Sequence, residues 1–200
     1  PIAEETGLIL EIGKWVLNEA CAVLSEWENG PLRHMIEHLS VNVSSRQFGS
    51  QDFVEDVAKR FKEHGTDPRK VVLEVTESTV IDKIQATVSK MEELRQLGFR
   101  FSVDDFGTGY SSLAYLSRLP LDQLKIDRTF VINLDDPANA VIVETILAMG
   151  KHLNLQTVAE GVETEGQLSF LNARNCNAYQ GYYFSRPLDR AEFERFLLAR

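Results

Sequence analysis

Phe101-Ser102-Val103-Asp104-Asp105-Phe106-Gly107-Thr108-Gly109 decides how this chain folds. A short apolar run, the right length for a strand, closes on two carboxylates and then on glycines that let a loop come close to another group. Four further stretches end the same way: Leu73-Glu74-Val75-Thr76-Glu77, Leu124-Lys125-Ile126-Asp127, Val41-Asn42-Val43-Ser44 and Val158-Ala159-Glu160-Gly161. Polar side chains at the ends of successive parallel strands are how a (β/α) barrel assembles an active site on one face. Oxygen donors in company with one lysine point to metal-assisted chemistry on a phosphate.

Helical periodicity fills the intervals. Leu8, Ile12, Trp15, Val16, Val23, Leu24 and Trp27 read as the apolar stripe of a first long helix, which Glu28-Asn29-Gly30-Pro31 ends. Helices are also expected around Phe53 to Phe61, from a Ser78 cap through Val80, Ile84, Val88, Met91 and Leu94 to Gly98, and from Ser111 to just before Pro120. Asp136-Pro137 opens another, with Val141, Ile142, Ile146 and Leu147 turned inward. Thr164 starts one that buries Leu168 and Leu171, and Asp189-Arg190-Ala191-Glu192 fits a capping box for the last. The strands expected are Leu39 to Val43, Val71 to Val75, Arg100 to Val103, Gln123 to Ile126, Gln156 to Ala159 and a last one near Ala178 to Tyr183. Such alternation argues a parallel α/β sheet.

Six strands and seven helices in 200 residues fall short of a closed barrel, which takes eight strands and roughly 250 residues. The chain also opens on a helix that no strand precedes. The expected fold is therefore α/β, a TIM-like barrel with its beginning removed and about six of the eight strands present. An open doubly wound sheet competes, but the glycine-rich phosphate turn usual after its first strand does not occur here.

A formal net charge of −9 argues against a nucleic-acid polymer as partner, since that binding rests on basic surface. It leaves room for a small anion where metal ions bring the positive charge. Apolar stretches are interrupted by charges within a few residues, so neither a signal peptide nor a membrane span is expected. Cys21 and Cys176 have no spacing partner, and read as reduced structural thiols in a cytoplasmic setting.

Asp104 and Asp105 repel one another, so their adjacency is useful chiefly where a cation sits beside them; an acidic turn capping the next helix is the plainer reading. Glu74 lies inside an apolar strand, where a carboxylate needs a partner. Asn42 offers a neutral oxygen, Glu77 a supporting carboxylate, and Glu160 a ligand or base. Lys125 is costly if buried alone; it can neutralise phosphate, position water, form an imine or pair with Asp127. Glu163 reads as charge complementing the dipole of the following helix, and Gln180 as a ligand contact or a backbone partner. His34, His38, His64 and His152 fall on helices or helix ends rather than strand ends. The donor set therefore favours Mg²⁺ or Mn²⁺ over zinc.

These motifs together resemble the EAL family of cyclic di-GMP phosphodiesterases. The resemblance is carried by Val41-Asn42-Val43-Ser44-Ser45-Arg46-Gln47-Phe48, Leu73 to Ser78, Asp104 through Leu113, Leu124 to Asp127, Val158 to Glu163 and Gln180-Gly181-Tyr182. It implies one EAL phosphodiesterase domain over residues 1–200, N-terminally truncated, with the Glu-x-Leu segment upstream of Pro1. It also implies a modified TIM-type barrel with one antiparallel strand. Asn42, Glu74, Asp104 and Glu160 would be metal ligands, and Asp105 would serve a second metal. Lys125 would meet the attacking water or scissile phosphate, Gln180 would belong to the same pocket, and Glu77 would anchor the loop from Asp105 to Tyr110.

The activity implied is hydrolysis of cyclic di-GMP to pGpG with two Mg²⁺ or Mn²⁺ ions, in a homodimer. Sensory or GGDEF cyclase domains upstream, with any membrane anchor of the parent supplied by domains outside these residues, complete the implication. A receptor that binds the dinucleotide without hydrolysing it is the alternative, though such receptors usually lack acids that this chain keeps. A barrel enzyme using Lys125 covalently on a carbonyl is a third. With a ligand and a phosphate contact upstream, these 200 residues alone are expected to turn over weakly or not at all.

Overall fold

The computed structural model describes residues 2–77, 79, 84–107 and 116–199. In chain order the helices are α1 (Ile2–Thr6), α2 (Leu8–Asn29), α3 (Ser45–Gly49), α4 (Phe53–His64), α5 (Ile84–Gln96), α6 (Arg128–Ile132), α7 (Pro137–Leu153), α8 (Glu165–Asn172) and α9 (Arg190–Leu198). The strands are β1 (Leu39–Val43), β2 (Val71–Thr76), β3 (Arg100–Phe106), β4 (Gln123–Ile126), β5 (Gln156–Ala159) and β6 (Ala178–Tyr179). Every described strand pairing is parallel. Parallel neighbours require a crossover, and described helices lie between β1 and β2, β2 and β3, β4 and β5, and β5 and β6.

The chain forms two compact units, residues 1–101 with 190–200, and residues 102–189. In the first, β1 pairs with β2 from Leu39↔Val71 to Val43↔Val75. Residues Val71 to Val75 are all buried, the continuous apolar run of a strand covered on both faces. Phe61 of α4 packs edge-on against Phe99, centroids 4.7 Å apart, with Val57, Met91 and Leu94 equally buried. Helix α9 returns to α2, where Trp27 Nε1 donates to Glu194 at 2.8 Å and Arg190 pairs with Glu26 and Glu194. In the second unit β3, β4, β5 and β6 pair in that order around Leu124, Ile126, Val143, Ala159 and Val162. Asp136 caps α7 by accepting from Ala138 N at 2.9 Å, with Pro137 at the first position.

On α2 and α7 the buried stripe is only partly the expected one: Leu24, Trp27, Ile146 and Leu147 are buried as expected, but other positions differ. On α2 the buried residues are Gly13, Leu17, Ala20, Cys21, Leu24 and Trp27, while Leu8, Ile12 and Trp15 are exposed. On α7 Val143 and Gly150 face inward and Val141 outward. Small residues let α2 and α7 approach their neighbours closely, and apolar content alone does not weigh them. β3 runs three residues further than expected, and β6 is two residues long rather than six. Six of the seven expected helices stand among the described residues, and the five-residue α1, α3 and α6 join them unexpected, because so short a helix shows no periodicity. His34 sits in a turn and His38 directly precedes β1, not on helices. The cap at Ser78 and the start of the helix from Ser111 lie outside the described residues. Both cysteines are free and buried, and burial pushes the Cys21 thiol up to about 11. Among the described residues no helix is long and apolar enough to cross a membrane.

Candidate active site

The second unit gathers Asp104, Asp105, Lys125, Glu160 and Gln180. Neighbours in a regular strand point to opposite faces, so two adjacent aspartates could not share a site without a break in the pleat. β3 supplies that break. Its register with β4 shifts between Val103↔Leu124 and Phe106↔Ile126, so one residue on β4 faces two on β3. The residue on β4 is Lys125, and the two are Asp104 and Asp105. Asp105 takes φ 54°, the left-handed region that a non-glycine residue rarely adopts. Local backbone strain thus brings both carboxylates to one place.

Lys125 is 6% exposed, and its ammonium lies 3.0 Å from Asp104 Oδ1 and 2.6 Å from Glu160 Oε1. Gln180 Nε2 donates to the same Glu160 Oε1 at 2.7 Å, so two donors set the plane of that carboxylate. Gln180 is itself held by its backbone: its N–H donates to Ala159 O at 2.9 Å and its carbonyl accepts from Val162 N at 3.1 Å. The next residue must be glycine, because a Cβ on Gly181 would stand 2.2 Å from the Val162 carbonyl. Asp104 Oδ1 also accepts from Asp105 N at 3.1 Å. Asp127, offered by sequence as a partner for Lys125, caps α6 by accepting from Thr129 N at 2.8 Å and from the Thr129 hydroxyl.

Partial burial, then the nearby charge of Asp104 and of Asp127, hold the Asp105 carboxyl above its usual value, while Lys125 draws it back. Carboxylate oxygens of Asp104, Asp105 and Glu160 all lie within 4.8 Å of one another. Lys125 offsets one of these three formal negative charges, and Asp127 adds a further one beside Asp105, so the cluster keeps an excess of negative charge that a cation would offset. The donors are oxygens, with no thiol or imidazole among them, which fits a hard divalent ion.

The first unit carries its own pair. Asn42 on β1 stands in register opposite Glu74 on β2. β1 alternates, with Val41 and Val43 buried and Ser40 and Asn42 exposed, whereas Glu74 is 6% exposed in a strand otherwise apolar through Val75. Glu77 is buried just beyond the end of β2. The loop that it was expected to anchor lies, from residue 108 on, outside the described residues. Glu163 is exposed just ahead of α8, whose cap is Thr164, in keeping with a charge at a helix start. Two features escaped the sequence reading. Ser44 and Gln47 form a capping box, for which the Ser-x-x-Gln spacing was a signal. Thr79, whose hydroxyl meets those of Ser45 and Thr76, left none by contrast.

The EAL domain family model matches residues 1–187. The bifunctional diguanylate cyclase/cyclic di-GMP phosphodiesterase MucR of Pseudomonas aeruginosa is 47% identical over 189 residues, covering 94% of this chain and 27% of that protein. The cyclic di-GMP phosphodiesterase NbdA of the same organism is 43% identical over 205 residues, 99% of this chain and 25% of that protein. The chain thus spans about a quarter of the length of these curated relatives. A solved structure of the PaMucR phosphodiesterase in complex with c-di-GMP superposes with a TM-score of 0.92 at 45% identity, covering 96% of this chain and 78% of that one. The EAL domain of Mycobacterium smegmatis DcpA gives 0.87 at 42% identity, covering 94% and 85%. The fold is therefore that of an incomplete TIM-like barrel of six parallel strands.

Proposed function

The chain belongs to the EAL-domain family, and from that premise we propose that it hydrolyses one phosphodiester of cyclic di-GMP to give linear pGpG. The observation that carries the reading is the buried Lys125 ammonium held between Asp104 and Glu160, with the bulged Asp105 beside them. Four charged groups so close at strand ends serve poorly as scaffolding, because the three acids repel one another and a single ammonium cannot offset them all.

Asp104, Asp105 and Glu160 in one unit, and Asn42 and Glu74 in the other, are the proposed ligands of Mg²⁺ or Mn²⁺. When bound, those ions would polarise the phosphoryl oxygens and acidify a water. The remaining roles fall to the chain's own residues. Lys125 offers a fixed positive charge to the attacking water or to a non-bridging oxygen of the scissile phosphate. Glu160, its plane fixed by Lys125 and Gln180, is placed to accept the proton of that water. As water joins phosphorus, the bond to one ribose 3′ oxygen breaks; that oxygen takes a proton from solvent and leaves as a hydroxyl, and Glu160 returns the proton it took to solvent. Glu77 is the proposed anchor of the loop from Asp105 to Tyr110. A homodimer, a cytoplasmic setting, and sensory or cyclase partners within the whole protein belong to the same reading.

The test is incubation with cyclic di-GMP in Mg²⁺ or Mn²⁺ and chromatographic separation of the nucleotides. Linear pGpG should appear with metal and be abolished by EDTA. Saturable binding of intact cyclic di-GMP with no pGpG selects the receptor instead. Light scattering during size exclusion reads the dimer.

A further inference from the structure

Between Val41 and Phe48 the chain supplies Asn42 and then builds a rigid block. Ser44 N-caps α3: Gln47 N donates to its Oγ at 3.2 Å, and Ser44 N donates back to Gln47 Oε1 at 3.2 Å. The Gln47 amide is seated against α2 at Gly13, where a Cβ would stand 1.6 Å from Nε2, so a side chain there would have to displace the amide. Lys90 of α5 donates to the carbonyls of Phe48 at 2.8 Å and Ser50 at 2.5 Å, satisfying the end of α3. The short helix is held at both ends and along one side.

One contact joins this block to β2. Thr79 Oγ1 lies 2.6 Å from Ser45 Oγ and 2.8 Å from Thr76 Oγ1, and Thr79 is 7% exposed. A hydroxyl can donate to one neighbour and accept from another, so Thr79 links Ser45, just past the end of β1, to Thr76, the last residue of β2. Those two strand ends carry Asn42 and Glu74 in register. We infer that Thr79 is a positioning residue which clips the ends of β1 and β2 together and so sets the separation of the ligand atoms of Asn42 and Glu74. The inference rests on the ligand roles proposed above. Metal ligands tolerate errors of only a few tenths of an ångström, and losing a group that orients them costs about 10- to 100-fold in affinity or activity.

Thr79→Val removes the hydroxyl and keeps the branched shape. Mn²⁺ affinity by calorimetry and kcat should each fall about 10- to 100-fold, with KM for cyclic di-GMP and the thermal midpoint close to wild type. Thr79→Ser should restore both. If Thr79→Val does not fold, Ser45→Ala, which removes an exposed partner of the clip, carries the same expectation. Asn42→Ala and Glu74→Gln are titrated alongside. If these two lose Mn²⁺ while Thr79→Val binds and turns over normally, the clip is overturned and the ligand roles stand. If the two bind Mn²⁺ as wild type does, the ligand roles fail and the clip's purpose with them. A Thr79→Ser variant as impaired as Thr79→Val would also overturn it, since packing of the methyl would then be what matters.

Discussion

The two units hold their polar strand ends by opposite means. In the first, Asn42 and Glu74 bring one charge, and a frame of neutral hydrogen bonds through Ser44, Gln47, Ser45 and Thr79 surrounds the β1 end. In the second, three acids and a lysine crowd together, a bulge forces two of them onto one site, and Asp105 adopts a strained backbone. The first arrangement is scaffold-limited: its geometry is set by neutral hydrogen bonds. The second is charge-limited, because its carboxylates repel each other until a cation offsets them.

Breaking the charge balance should have the largest effect. Lys125→Ala leaves Asp104 and Glu160 facing each other without their shared cation, and should lower kcat by about 10³, roughly 4 kcal/mol of barrier. Initial rates at saturating Mn²⁺ measure it. In metal-free buffer the same variant should melt earlier, and Mn²⁺ should recover much of that loss. Glu74→Gln, which disturbs the scaffold-limited pair, should cost about 10² in Mn²⁺ affinity, in line with the sensitivity of metal sites to their surroundings, and should hardly move the metal-free melt. That contrast sharpens the comparison; equal metal-free destabilisation by both variants would break it.

Gly13→Ala tests the frame without touching a charge. The added methyl would collide with the Gln47 amide, and overpacking of this kind costs about 1–3 kcal/mol, read as a lower midpoint in urea. Asp105→Asn should act in the opposite sense and least of all. Its folded-state value is raised, so the native chain holds that proton more tightly than the unfolded one does. Metal-free stability therefore falls as pH rises from the ordinary carboxylate value of 3.8 through the raised one, and stays lower at neutral pH. Removing the charge should flatten that step and stabilise the metal-free protein by less than about 1 kcal/mol, since solvent screens an exposed carboxylate. Melting curves at several pH values decide it.

Strand ends were readable because an acid, amide or lysine after a β-branched run is a strong local anomaly: Glu74, Lys125 and Glu160 stand where the sequence put them, whereas Asp104 falls inside a β3 that runs three residues further. The alternation of strand and helix likewise followed from local pattern. What could not be read was relational. That Asp104 and Asp105 converge depends on a register shift against β4, and that Trp15 faces solvent while Gly13 faces inward depends on which neighbour α2 meets. Thr79 was invisible because a threonine at the start of a helix is commonplace, and its two hydroxyl partners are brought to it only by the fold.

The most direct test of the metal-assisted hydrolysis of cyclic di-GMP is product analysis in ¹⁸O-labelled water with Mn²⁺, by mass spectrometry. The account predicts slow, EDTA-sensitive formation of pGpG carrying a single ¹⁸O on its terminal phosphate. Intact, unlabelled cyclic di-GMP recovered from a folded chain that binds it in the presence of Mn²⁺ would contradict the account.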